Sequence, residues 1–362
     1  MEFKKYFLPA LTLLLLIGFV FVFTNVFIYL VISLILALLG MPIMKFITKF
    51  KIGKFKINNG IAAILTIGLF FMIIYTISIT FLPPLISQIT FLSNSNLHDV
   101  IYNISIYFPN LKKTISTFGS EKQIMHSVST QIGQFINFQN VSYIFNNTLS
   151  YTGILLGGLF SVLFITFFFL KDEKIVIKSL LLITPSTFET EMIDIFRTSR
   201  KMLSNYFIGL FIDVAFISIT VTTLMWLFGI QNALVIGCLA GVLNIIPYIG
   251  PIVTLLFAML FGISGCIEYN HYELISTTLT KIVIILIGTN LLDAMIIQPT
   301  IFSNTVKAHP LEIFLVVLMA AAIGGVIGMI VAIPTYTLLR IIAKEFLSHL
   351  KFFKKLTENI PE

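Results

Sequence analysis

The chain has 362 residues and a formal net charge of +7; 57% of its residues are hydrophobic and only 11% are charged. A soluble globular protein carries roughly a quarter charged residues, so there are too few charges here to clothe a water-facing surface. The 36 phenylalanines and their aliphatic neighbours fall in long runs, and about 20 apolar residues in a helix cross the core of a bilayer, so the composition points to a polytopic membrane protein and away from a soluble domain.

In chain order, Lys4 and Lys5 precede an apolar run that continues through Phe23 with no small-x-small cleavage site, so it reads as a retained span rather than a signal peptide. The candidate spans are Phe7–Phe23, Val26–Met44, Gly60–Leu82, Leu149–Leu170, Leu203–Phe228, Ala233–Ile246, Ile249–Ile267, Leu274–Ile297 and Leu311–Ile342. The first two are short, nearly continuous and read as a helical hairpin. Basic residues cluster at 41–59 (Lys45, Lys49, Lys51, Lys54, Lys56), at 171–201 and in the tail after Lys344. The positive-inside rule puts these segments and both termini in the cytoplasm. The charge-poor segment 83–146 then falls outside, where its helical spacing of apolar residues (Leu85, Ile89, Leu92; Ile124, Val128, Ile132) predicts amphipathic helices. The expected organisation is N-terminal spans at 1–82, an extracytoplasmic helical segment at 83–146, a C-terminal membrane bundle at 147–345 with a cytoplasmic helical insert at 171–202, and a cytoplasmic tail at 346–362. In that insert, Ser186 or Thr187 is expected to cap a helix with Glu189 and Glu191 in its first turn.

Two apolar segments are interrupted. Pro247, Gly250 and Pro251 break Ala233–Ile267, and Gly324, Gly325 and Pro334 interrupt Leu311–Ile342. Each is expected to be a kinked span or a re-entrant hairpin. Irregular backbone survives at membrane depth only where protein or a watery cavity satisfies it, and paired broken segments point to a transport path. Acids inside spans are costly and therefore suspect. Asp213 and Asp293 are the transport or ion-coupling candidates, because a carboxylate away from water can take up a cation or exchange a proton. Asn244 and Tyr248 flank the break and offer polar contacts there. Glu312 and Lys307 read as interfacial, and Lys281 as a side chain reaching for the surface. Gly237 with Gly241, Gly153 with Gly157, and Gly324 with Gly328 have the small-xxx-small spacing of close helix packing.

The stretch Leu243-Asn244-Ile245-Ile246-Pro247-Tyr248-Ile249-Gly250-Pro251 resembles the signature of the autoinducer-2 exporter-like (AI-2E) family of bacterial permeases. Phe167 to Asp172, Gln298-Pro299 with His309-Pro310-Leu311, and Gly325 to Pro334 are similar to further stretches of that family, in the same order. The chain departs from the pattern at Glu173, Leu210, Met295 and Ala320-Ala321. The resemblance implies an all-α bundle of about eight membrane helices. It also implies efflux or exchange of small polar molecules; members are associated with signal-molecule export and with sodium–proton exchange.

HExxH, GxSxG and P-loop motifs are missing from the sequence, so an enzyme is not expected, and transport is expected to be secondary or passive. The two cysteines and five histidines do not fall at ligand spacing, so no metal or other cofactor is expected. The positive charge is dispersed over inner loops, which suits anionic lipid heads rather than nucleic acid. The expected partners are a small polar solute, a proton or sodium ion, lipid and further copies of the chain, as a homo-oligomer in the bacterial inner membrane. A non-transporting membrane scaffold is the alternative from another class. Single cysteines at Lys51 and Asn110 are predicted to be labelled by an impermeant reagent from opposite sides of the membrane; labelling from one side would overturn the topology.

Overall fold

A computed structural model of the chain describes residues 23–49, 51–52, 55–94, 148–299 and 309–347. The proposed first span Phe7–Phe23, nearly all of the outer segment, Lys307 and the C-terminal tail lie outside these residues. The described chain is helical apart from a two-residue antiparallel ladder, β1 (Lys51–Ile52) with β2 (Phe55–Lys56). The helices are α1 (Thr24–Lys49), α2 (Asn59–Asn94), α3 (Thr148–Lys171), α4 (Ile175–Ile183), α5 (Glu189–Leu227), α6 (Ala233–Asn244), α7 (Ile249–Glu268), α8 (Ile275–Leu292) and α9 (Pro310–Leu347). Six helical segments are long and apolar enough to cross a membrane, and α6 and the Gly157–Lys171 part of α3 are shorter apolar helices.

Two helices run further than the hydropathy suggests. α2 continues through Pro83 and Pro84 to Asn94 instead of stopping at Leu82. α5 is a single 39-residue helix that joins the basic insert to the span beginning at Leu203. Glu189 and Glu191 do sit in its first turn, while Ser186 and Thr187 belong to the 3₁₀ turn Ser186–Phe188 that leads into it.

The chain divides into two compact units. One contains the described residues of 1–72 and 149–200, with a small core of Ala37 and Met44 from α1, Ala62 and Ala63 from α2, and Leu170 from α3. The other contains those of 73–148 and 201–362. Its core is built by α5, α6, α7 and α8, through Val221, Met225, Ile236, Phe261, Ile282 and Leu286. In this unit Gln88 on α2 donates to Glu268 Oε2 (2.8 Å) and accepts from Ser264 Oγ (2.8 Å), tying the end of α2 to α7. Lys281 donates to the Phe228 carbonyl just beyond α5 (3.0 Å), where a cation suits the negative end of a helix.

The glycines separate by role. A Cβ on Gly237 would lie 1.9 Å from Thr222 Oγ1, and one on Gly241 2.0 Å from Ser218 Oγ, so both glycines permit contact between α6 and α5. Gly324 and Gly157 meet nothing within 4 Å, whereas Gly328 is approached by the Ala320 carbonyl. At Gly157's neighbour Gly158 the Tyr29 hydroxyl oxygen is 3.1 Å from the site of a Cβ. Gly237→Ala and Gly241→Ala are each expected to cost about 1–3 kcal/mol by overpacking, while Gly324→Ala should change stability by less than about 0.5 kcal/mol. Thermal unfolding in detergent measures the difference, and equal effects at all three sites would remove the close contact between α5 and α6.

Candidate functional site

The first interruption is a true break. α6 ends at Asn244 and α7 begins at Ile249. Pro247 lies within the break, while Gly250 and Pro251 fall in the first turn of α7, where a missing N–H costs nothing because those donors have no partner inside the helix. The positive φ lies not at Gly250 but at Tyr248 (φ 66°, ψ −43°), and Ile249 N–H donates to the Pro247 carbonyl (2.8 Å). This is a γ-turn of the rare strained hand, a conformation that costs a side-chain-bearing residue about 1–3 kcal/mol. Gly250 serves a different need: a Cβ there would lie 2.3 Å from the Leu243 carbonyl oxygen, so only glycine lets α7 start this close to the end of α6.

The second interruption is a hairpin. Gly325 takes φ 56° and ψ −138°, backbone angles open essentially to glycine, inside α9. Tyr336 O–H donates to Glu312 Oε2 (2.8 Å), although residues 24 apart in a straight helix would be about 36 Å distant along the axis. The Ala320 carbonyl also approaches Gly328 closely. The two limbs therefore fold back on one another at Gly325, and Pro334 sits within the second limb without ending it. The first limb, residues 310–324, is about 22 Å long, shorter than the roughly 30 Å hydrocarbon core.

These departures from regular helix surround one cavity of about 430 Å³. Tyr206, Leu210 and Asp213 line it from one face of α5, at the i, i+4, i+7 spacing. Asn244, Pro247, Tyr248 and Pro251 line it from the break, Asn290 and Asp293 from the end of α8, and Ile313 and Ile333 from the two limbs of α9. The Phe314 ring packs edge-on against that of Tyr248, with centroids 5.5 Å apart. All four polar residues singled out from the sequence thus meet in one place: Asp213, Asp293, Asn244 and Tyr248.

The two acids are 3% and 1% exposed and line the same cavity. Asn244 Nδ2 donates to Asp213 Oδ2 (3.0 Å), and Gln298 Nε2 donates to Asp293 Oδ2 (2.7 Å). The Oδ1 atom of each acid is buried and has no donor among the described residues. No Lys, Arg or His is among the described residues that line the cavity. Two carboxylates buried in one cavity repel unless a proton or cation offsets their charge, so the arrangement suits a proton or a small monovalent cation.

Sequence reasoning missed Tyr206, Asn290 and Gln298. The signal for the first two was helical spacing from the acids, Tyr206 two turns before Asp213 and Asn290 one turn before Asp293, while Gln298 stood in a stretch that resembles the family. Arg340, 5% exposed with its guanidinium 5.6 Å from the Tyr336 ring centre, was also missed, because it sits near a basic helix end. Glu312, read as interfacial, proves to be the residue that ties the two limbs of α9 together.

The profile of the AI-2E family transporters matches residues 10–348. The chain is similar to the provisionally named transport protein YueF of Bacillus subtilis (strain 168), at 26% identity over 89% of this chain and 84% of that one. A provisionally named transport protein of Thermotoga maritima is 23% identical over 96% of both chains. A third, MJ1177 of Methanocaldococcus jannaschii, is 26% identical over 87% of this chain and 88% of its own.

Replacing either acid by asparagine supplies an N–H opposite the remaining carboxylate. Asp213→Asn and Asp293→Asn are each expected to raise stability to unfolding in detergent by about 1–2 kcal/mol. The second substitution should add less than the first because the groups line one cavity. Additive or destabilising effects would mean the two carboxyls do not share a site.

Proposed function

We propose that this chain, which belongs to the AI-2E transporter family, is a secondary transporter that moves a small polar solute through the cavity between α5, the α6–α7 break, α8 and α9, with Asp213 and Asp293 as its coupling pair. Its place as a multi-pass membrane transporter follows from the family match and the six apolar helices. The observation that carries the coupling role is that both acids are buried in one cavity, each with an Oδ1 that has no donor, where no basic side chain is among the described lining residues. Such a pair changes its interaction with its surroundings when it gains or loses one positive charge. That difference lets a gradient bias one conformation over another. The solute is of modest size, since a cavity of about 430 Å³ is at the small end of ligand sites. The mixed lining of tyrosine, asparagine and aliphatic side chains suits an uncharged polar molecule, such as a small signal molecule for export.

A monovalent cation–proton antiporter is the second reading. The same carboxyl pair favours it, since sodium and a proton can compete for the two Oδ1 oxygens with no solute involved. Cytoplasmic termini and placement in the bacterial inner membrane belong to the proposal and rest on the lysine bias of the inner segments. Homo-oligomeric assembly belongs to it too, supported by the apolar surface left at Trp226 and Ile323, 72% and 90% exposed.

Purified protein in liposomes with a pH-sensitive dye inside tests both readings. An imposed proton gradient should drive uptake of polar solutes, or a sodium pulse should release protons without solute. Asp213→Asn and Asp293→Asn should each lower coupled flux roughly tenfold or more, because the exchangeable charge is gone. Full flux with an unchanged pH profile in both variants would eliminate the coupling role and favour the non-transporting scaffold.

A further inference from the structure

We propose that Gln298 is a positioning residue for the carboxyl pair: its side-chain amide holds Asp293 Oδ2 and so aims Asp293 Oδ1 at Asp213. This rests on the reading of the pair as the coupling site. The backbone explains how Gln298 reaches its partner. In an α-helix, residues five apart lie about 140° apart around the axis, and their side chains diverge. Here Asp293–Ile297 is a π-helical turn, and the backbone N–H of Gln298 donates to the Asp293 carbonyl. The wider turn brings the two residues onto one side, and the Gln298 amide meets Asp293 Oδ2 at 2.7 Å. Single π-turns inside α-helices cluster at functional sites. Pro299, next in the chain, has no backbone donor with which to close a narrower turn.

The site is consequently built with two amide arms. Asn244, at the last position of α6, secures Asp213 in the way that Gln298 secures Asp293. Each amide occupies an Oδ2 and leaves a buried Oδ1 without a donor, on two acids that line one cavity. Without Gln298 the Asp293 carboxyl, 1% exposed, is free to rotate about its last bond and that arrangement is lost, although both acids are still present. The side-chain amide is the suitable group for the task. It donates a hydrogen bond without adding a charge, so it orients the acid without competing for the transported cation.

Infrared difference spectra of the purified full-length protein, taken between acid and alkaline pH, test this directly. The carboxylic-acid C=O band that disappears in Asp293→Asn marks the residue. In Gln298→Leu that band is expected to move to higher frequency, as a carbonyl does when it loses a donor, and coupled flux should fall roughly tenfold. Gln298→Met, close to glutamine in volume and without the donor, gives the same shift if the leucine variant fails to fold. Gln298→Glu is expected to support flux only at acid pH, where its carboxyl can still donate, a dependence that a packing role does not produce. An unmoved band in the donorless variants, or no carboxylic-acid band in the wild type at any pH, overturns the proposal. A moved band with unchanged flux leaves Gln298 as the holder of Asp293 but shows that the pair does not couple transport.

Discussion

Asp213 and Asp293 are carboxyl groups that line one cavity, almost wholly withdrawn from solvent, with no basic side chain among the described residues around them. Such a pair is tolerable only if each acid is hydrogen-bonded and a positive charge is at hand, since an unpaired buried charge is among the costliest features a protein can carry. Much of the surrounding structure answers that demand. Asn244 and Gln298 each supply one amide donor, and each stands where the regular helix gives way. The two Oδ1 oxygens are left without a donor among the described residues.

Membrane helices satisfy their own backbone, and irregular segments persist only where something else satisfies the groups they release. Three departures occur around this cavity: the γ-turn at Tyr248, the π-turn at Asp293–Ile297 and the reversal at Gly325. Tyr248 and Asp293 line the cavity themselves, and the limbs joined at Gly325 contribute Ile313 and Ile333. Concentrating strained backbone at one place fits a site where a modest gain or loss of charge changes which arrangement is preferred. The hydrogen bond between Tyr336 and Glu312 joins the two limbs of α9, and the edge contact between Phe314 and Tyr248 connects that hairpin to the rest of the site.

The rest of this unit supplies a rigid frame. Gly237 and Gly241 let α6 lie against α5 closely enough for Asn244 to reach Asp213. The buried core shared by α5, α6, α7 and α8 fixes that approach, and the Gln88 bonds to Ser264 and Glu268 hold the end of α2 on α7. Packing of this kind matters more in lipid than in water, because apolar side chains gain little by leaving one apolar environment for another.

The sequence by itself determined that this is a membrane protein built of long apolar helices, that one apolar segment must break near Pro247, and that Asp213 and Asp293 stand within apolar helical stretches. Those conclusions follow from local quantities: run length, charge density and the inability of proline to continue a helix. It did not determine that α2 passes through Pro83 and Pro84, that the strained backbone sits at Tyr248 while Gly250 serves a close approach, or that α9 reverses at Gly325. Each depends on which neighbour lies beside the residue. Only the tertiary structure decided that Asp213 and Asp293, 80 positions apart in sequence, share one hydrogen-bonding site with Asn244 and Gln298. Hydropathy along a chain ranks depth in the membrane, and contact between two helices at the same depth is fixed by how their faces pack.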